Sequence, residues 1–245
     1  MIHTPTKEKL VQLNHIKKYD FMNIQELDVP TEMRNKIRCD IKYVDAVWGE
    51  GFTPGTVTIF TGSPGAGKTT LMLEIAGALG AKEITAGYNS SEEDVRQLKM
   101  TTERLGIDSP FYCGNLDSTE NVIKASKDND IKFLIIDSLQ TMRTARHNAG
   151  TVGAMRDTIK QIIEFCKQHF VIGVIIGHVT KGNKIAGPQM LKHMTDIHVH
   201  MHLCTNPKCE DCEMGTRTLV AEKNRFGPAG VAKQLFMFPN GFKEI

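Results

Sequence analysis

The residues with the clearest chemistry are Gly62-Ser63-Pro64-Gly65-Ala66-Gly67-Lys68-Thr69. They fit G-x-x-x-x-G-K-[ST], the pattern of a phosphate-binding loop. Gly62, Gly65 and Gly67 let the backbone bend where a Cβ would obstruct it. Successive N–H groups then face an anion at the positive end of a helix. Lys68 is placed to reach β- and γ-phosphates and the Thr69 hydroxyl to ligate Mg2+, with Thr70 counted beside them.

Two carboxylate positions follow. Phe133-Leu134-Ile135-Ile136-Asp137 is an apolar strand ending in an acid, which suits Asp137 to hold Mg2+ directly or through water. Glu92 and Glu93 come soon after Ile84–Tyr88, which reads as another buried strand. A carboxylate at the C-terminal end of that strand lies where α/β sheets place ligands. There it suits polarising a water that attacks a γ-phosphate. In the competing reading both acids only dress the first turn of a helix over Val95–Leu105, capped by Ser90 or Ser91. Spacing alone does not choose between them.

Residues 141–151 read as a loop at the same sheet edge, and Arg143, Arg146 and His147 suit either nucleic-acid phosphates or plain solvation. Ile197–Cys204 alternates strictly, with His198, His200, His202 and Cys204 on one face. His202, Cys204, Cys209 and Cys212 form a candidate Cys3His zinc site of structural type. The same residues also occur on strand faces and in polar loops without metal.

These groups need elements to position them. Val57–Thr61 is β-branched and aromatic, a buried strand leading into the phosphate loop, and Thr70–Ala76 has strong helix propensity. Gly49, Gly51, Pro54 and Gly55 mark tight turns before that strand. Residues 152–169 predict a helix, Phe170–Ile176 a strand ending at Gly177-His178, Arg217–Ala221 a return strand and Leu235–Phe238 the last strand. Leu10, Leu13, Ile16, Phe21 and Ile24 predict an amphipathic helix or two short ones, packed on the same domain or docked on a neighbouring subunit. Pro30 and the polar run Thr31–Lys36 read as a linker. The expected division is an N-terminal arm and linker over 1–36 and an α/β core over 37–245, with a cysteine-containing hairpin insertion over 203–216.

Composition sets outer bounds. A chain of 245 residues suits one large α/β domain. Thirty Lys+Arg against 28 Asp+Glu give a formal charge of +2, so any basic surface must be local. The start does not read as a signal peptide, and the apolar run from Phe170 to Ile176 is far short of the ~20 residues that span a bilayer. Six cysteines are too few and uneven for a disulfide scaffold, so a cytoplasmic protein free of the membrane is expected.

Several segments together resemble the RadA/Sms branch of the RecA-like P-loop ATPases. They are Gly62–Thr69; Ser90–Glu93 with Glu103-Arg104-Leu105-Gly106; Ile136–Thr141; Gly177-His178-Val179-Thr180-Lys181; Ile185–Pro188; and Lys223-Asn224-Arg225-Phe226-Gly227. The resemblance runs from about Ile37 onward and keeps the family's order. His-Val-Thr-Lys and Lys-Asn-Arg-Phe-Gly are its discriminating parts.

The resemblance implies an α/β fold, with a mostly parallel sheet flanked by helices and a C-terminal antiparallel hairpin. It also implies a head-to-tail ring, usually of six, that uses ATP and Mg2+, binds single-stranded DNA and promotes branch migration or unwinding in recombination and DNA repair. Recombinase or replication proteins would be further partners. Glu92 matches the water-activating glutamate, and His178 falls where relatives sense the γ-phosphate. Lys223 and Arg225 match a pair that reaches ATP on the adjacent subunit, while Arg143, Arg146, Lys181 and Lys184 fall in the two loops that face the channel. The family's usual N-terminal four-cysteine zinc module and C-terminal Lon-like domain are not expected here. Ser90-Ser91-Glu92-Glu93-Asp94 replaces the usual Ser-Gly-Glu-Glu-Ser. The fold is shared with replicative helicase cores and with KaiC-like signalling ATPases that work without DNA.

Overall fold

The structure is a computed structural model that describes residues 23–178, 190–206 and 213–245. The described residues form one nine-stranded sheet. Its strands are β1 (Val57–Gly62), β2 (Ala86–Ser90), β3 (Tyr112–Gly114), β4 (Phe133–Asp137), β5 (Ile172–His178), β6 (Ile197–Leu203), β7 (Arg217–Asn224), β8 (Ala232–Phe238) and β9 (Gly241–Glu244). They lie in the order β3-β2-β4-β5-β1-β6-β7-β8-β9. Strands β1 to β6 pair in parallel, and β6 to β9 form an antiparallel meander. This is the expected α/β core, with the C-terminal hairpin extended by two more pairings.

Helices cover both faces: α1 (Thr31–Arg34), α2 (Lys42–Val47), α3 (Lys68–Gly80), α4 (Val95–Leu105), α5 (Thr119–Asp128), α6 (Val152–His169) and α7 (Met190–Met194). The period-two pattern of the strands divides the core. Phe60, Phe133 and Ile135 pack with Leu71, Met72, Ile75 and Leu79 of α3 and with Trp48. Val57, Ile59, Leu134 and Ile136 pack with Met155, Ile159, Ile162 and Phe165 of α6. Strands buried on both faces read as unbroken apolar runs for this reason. Trp48 is fully buried, and its indole N–H donates to Thr58 Oγ1 at 3.1 Å. Among the described residues, no helix is long and apolar enough to cross a membrane.

The register determines what meets at the C-terminal ends. Gly62 lies beside His178 on β5 and Met201 on β6, and Ser90 lies beside Asp137. Gly62 has to be glycine, because a Cβ there would stand 2.5 Å from the Met201 carbonyl oxygen.

Some boundaries differ from expectation. The strand expected at Ile84–Tyr88 runs Ala86–Ser90, because the Ile84 N–H still bonds back to Leu79 at the exit of α3. The cap of α4 is Asp94, in a box with Gln97, rather than Ser90 or Ser91. Phe170 is the left-handed cap of α6 and not the start of β5. The expected linker contains the short α1, and α2 precedes the turns marked by Gly49, Gly51, Pro54 and Gly55. Elements β3, α5 and β9 have no counterpart in the sequence pattern. Of the predicted N-terminal helix only its end is described, and there Ile24–Glu26 form a 3-10 turn. Ile37 and Phe52 exchange backbone bonds at 2.8 Å, which ties the chain to the core from that point.

Strand β9 docks on α3 through a half-buried acid. Glu74 Oε1 accepts the Phe242 N–H at 3.0 Å, while its Oε2 is buried without a partner. Burial pushes the carboxyl up to about 7. The folded state therefore holds this proton well above the unfolded value of 4.5. Its stabilising effect is complete below that value and is lost as pH rises toward 7, an effect of up to ~3 kcal/mol. Glu74→Gln should flatten the fall in melting temperature between pH 5 and 7.5. A wild-type melting temperature that does not change over this range would contradict the assignment.

Candidate nucleotide-binding and hydrolysis site

The phosphate loop runs from the end of β1 into α3. Gly67 caps α3 at φ +100°, a conformation that costs glycine little. A Cβ there would also meet the Phe242 ring at 2.6 Å, so β9 packs against the underside of the loop. From the side, Arg217 Nε donates to the Ala66 carbonyl at 3.4 Å. Lys68 is buried, and its ammonium spans the loop mouth by donating to the Gly62 and Ser63 carbonyls at 3.0 and 3.1 Å. Burial lowers its proton affinity, while Asp137 and Glu92 act in the opposite sense.

Asp137 ends β4 and is buried. Its Oδ2 accepts the Tyr88 hydroxyl at 2.7 Å and the Thr69 hydroxyl at 3.3 Å. Burial raises the carboxyl, against the pull of these donors. Tyr88 is also buried and its phenol is driven well up, first by burial and then by Asp137, so it remains a donor.

Glu92 and Glu93 sit in the turn beyond β2, where Ser90 Oγ accepts both of their backbone N–H groups, at 3.3 and 2.9 Å. Glu92 Oε1 accepts Ser138 Oγ and His178 Nε2, the latter at 2.8 Å. Burial raises Glu92, but the Ser138 and His178 bonds and nearby Lys68 outweigh it, and the carboxyl lies below its ordinary value. Glu93 moves the other way, raised by burial and by Asp137 and Glu92. The two adjacent acids are thus distinguished by their partners. Ser91 bonds Thr141 at 2.6 Å, and the His178 N–H reaches Gln140 Oε1 at 3.4 Å, joining the ends of β2, β4 and β5.

Among the described residues, Glu92, Asp137 and His178 form the one group of three possible metal ligands within 4.8 Å. With Thr69 beside them, the oxygen atoms form a hard donor set that fits Mg2+. A metal bound there would neutralise phosphate charge. A Cβ at Gly65 would meet nothing within 4 Å, so this glycine is required by its positive φ of 75° and not by crowding.

The other predicted residues fall elsewhere. Arg143 forms an ion pair with Asp117 at 2.9 Å, and backbone bonds to Asp117 and Thr119 hold the segment in place. Arg146 lines a cleft with Glu120, Asp157 and Glu164. Lys181 and Lys184 lie outside the described residues, as do Cys209 and Cys212. The Cys204 thiol is buried and points to the Asn206 carbonyl at 3.7 Å, and His202 is exposed. The neighbouring histidines are engaged in other bonds. His198 Nδ1 lies 2.8 Å from Glu222, so its Nε2 accepts the Thr61 hydroxyl, which in turn accepts His200 Nδ1–H.

Lys223 and Arg225 are at the opposite end of the sheet. Asn224 faces Ile197, which lies beside Thr58. Arg225 is therefore level with Val57, about 16 Å of strand below Gly62. Its guanidinium pairs with Asp196 at 3.3 Å, and the other Asp196 oxygen accepts the Val57 N–H. Lys223 donates to the Lys192, His193 and Thr195 carbonyls at the end of α7. Neither residue can reach the phosphate loop of its own chain.

Sequence reasoning misses Tyr88, Ser138 and Arg217. Tyr88 and Ser138 lie inside segments legible for their strand or their acid, and Arg217 reads only as strand. A hydroxyl whose side chain must turn inward beside Asp137 is the one available signal.

Comparison with known proteins identifies the family. A family model described as an AAA domain matches residues 25–184. The DNA repair protein RadA of Salmonella typhimurium is 32% identical over 230 residues, covering 91% of this chain and 47% of that protein. RadA of Chlamydia pneumoniae is 33% identical over 222 residues, covering 87% and 47%. RadA of Streptococcus pneumoniae is 32% identical over 214 residues, covering 86% and 49%. The chain spans about half the length of the curated relatives it matches. A crystal structure of the RadB recombinase shares the fold at a TM-score of 0.63 and 21% identity, over 85% of this chain and 99% of that one. The phosphate loop on β1 and the acid ending β4 lie within the matched span, and the chain belongs to the AAA domain family, with a fold of RecA type and similarity to RadA over most of its length.

Proposed function

We propose that this chain is the motor core of a ring-forming, ATP-hydrolysing protein of DNA recombination and repair, acting on single-stranded DNA to promote branch migration or unwinding. The observation that carries the reading is the convergence of Lys68, Thr69, Asp137, Glu92 and His178 at the ends of β1, β4, β2 and β5. Lys68 and the loop N–H groups hold the phosphates. Thr69 and Asp137 supply the Mg2+ ligands. Glu92, kept ionised by Ser138 and His178, orients and polarises the attacking water. His178 holds Glu92 until a γ-phosphate competes for its Nε2–H. Zinc is not part of this reading.

The DNA reading rests on the family and on local charge. The Arg143–Asp117 pair is exposed on both sides, and such pairs are worth only about 0–1 kcal/mol, so a phosphate can displace the aspartate. Lys181 and Lys184 would complete the channel lining. A replicative-helicase core and a KaiC-like signalling ATPase are the competing readings, and stimulation of ATP turnover by single-stranded DNA excludes the second.

Three results are expected. Lys68→Ala should abolish ATP turnover with the fold intact, and Glu92→Gln should bind ATP but turn over about 100-fold or more slowly. If Glu93→Gln is the inactive variant instead, the roles of the two acids are exchanged. Alanine at Arg143, Arg146, Lys181 and Lys184 should lower the salt dependence of single-stranded DNA binding, by a slope of ~0.7 for each DNA phosphate that is no longer neutralised. An unchanged titration would show these residues are only solvated. Finally, Arg225→Ala and Lys68→Ala proteins, each inactive, should recover activity when mixed, because some junctions then pair an intact Arg225 with an intact loop. No recovery in rings shown to be mixed would place Arg225 outside the shared site.

A further inference from the structure

We propose that Tyr88 is a positioning residue for the Mg2+ carboxylate, fixing which oxygen of Asp137 faces the metal. This inference rests on the nucleotide reading above. Asp137 Oδ2 has two donors, Tyr88 at 2.7 Å and Thr69 at 3.3 Å. The Thr69 hydroxyl is the weaker donor and the one required as a Mg2+ ligand. Once it turns to the metal, Tyr88 is the side-chain donor that remains on Oδ2.

The tyrosine is built for this role. It is 1% exposed and lies mid-strand in β2, directly beside Ile135 of β4, two residues before Asp137. Its ring belongs to the core on the α3 side of the sheet, so the hydroxyl cannot swing to solvent. The ring cannot drop the bond without leaving a buried phenol and a buried carboxylate oxygen unpaired, and such loss is costly. Asp137 therefore enters metal binding with its rotamer already chosen and Oδ1 directed away from Tyr88. Outer partners of this kind are typically worth ten- to a hundredfold in metal affinity.

The test separates metal from nucleotide. Binding of a fluorescent ATP analogue is titrated at equilibrium in EDTA and then at rising Mg2+, for wild type and Tyr88→Phe. The substitution removes one oxygen and keeps the ring. The expected result is a Mg2+ half-saturation raised on the order of tenfold, with affinity in EDTA within twofold of wild type. An unchanged half-saturation, or an equal loss in EDTA, overturns the proposal. Asp137→Asn supplies the second background. It has no charge to hold, so adding Tyr88→Phe to it should leave its Mg2+ dependence unchanged, and a further loss there also overturns the proposal. If Tyr88→Phe alone does not fold, the double variant should, because the unpaired charge has been removed. A double variant that also fails to fold gives the tyrosine a packing role and contradicts the proposal. Wild-type binding that ignores Mg2+ would count against the nucleotide reading itself rather than against Tyr88.

Discussion

Lys68 and Asp137, groups of opposite charge type, are both buried at the C-terminal end of an apolar sheet. Desolvation works against both: it lowers the proton affinity of the lysine and raises that of the aspartate. The surrounding structure compensates. Lys68 is satisfied by two loop carbonyls, and Asp137 by two hydroxyls. The strand register supplies the second half of the solution, because it ends β1 and β5 level at Gly62 and His178, sets Asp137 two residues lower between them and Ser90, and brings Glu92 and His178 together. A site assembled this way already holds partners where a phosphate and a metal would sit, and binding exchanges those partners rather than building new ones.

The same sheet separates two groups of candidate functional residues along its length. The proposed phosphate chemistry lies at the C-terminal ends of the parallel strands. Lys223 and Arg225 are at the other end, held by α7 carbonyls and by Asp196. Lys36 ties the following turn by donating to the Phe226 carbonyl at 2.7 Å, and Gly227 packs against Gly49. A cation so far from its own loop can serve a triphosphate only on a neighbouring chain, which is the geometric reason for reading hydrolysis as a property of an assembly.

Much of the site is legible in the sequence because its chemistry is local. The phosphate loop is contiguous, and the acid closing Phe133–Ile136 is marked by the apolar run before it. Helix α6 and strand β4 fall where periodicity puts them. Strand β3 and helix α5 escape because one is three residues long and exposed, and the other buries only Thr119, Val122 and Ser126. Alternation on β6 shows that His198, His200 and His202 share a face. It does not show that Thr61 and Glu222 engage the ring nitrogens of His198 and His200 from neighbouring strands. Tyr88 is hidden for the same reason: its partner is on another strand.

The central claim is that Lys68 and Asp137 form one site for a Mg2+-bound triphosphate, and thermal unfolding tests it most directly. Ligands that bind only the folded state raise its stability by RT ln(1 + [L]/Kd), about 2.7 kcal/mol at a hundredfold excess over Kd. ATP with Mg2+ should raise the melting temperature by more than ATP in EDTA and Mg2+ alone together, and Lys68→Ala should abolish the difference. A melting temperature unmoved by ATP with Mg2+, or moved equally in Lys68→Ala, would contradict the account.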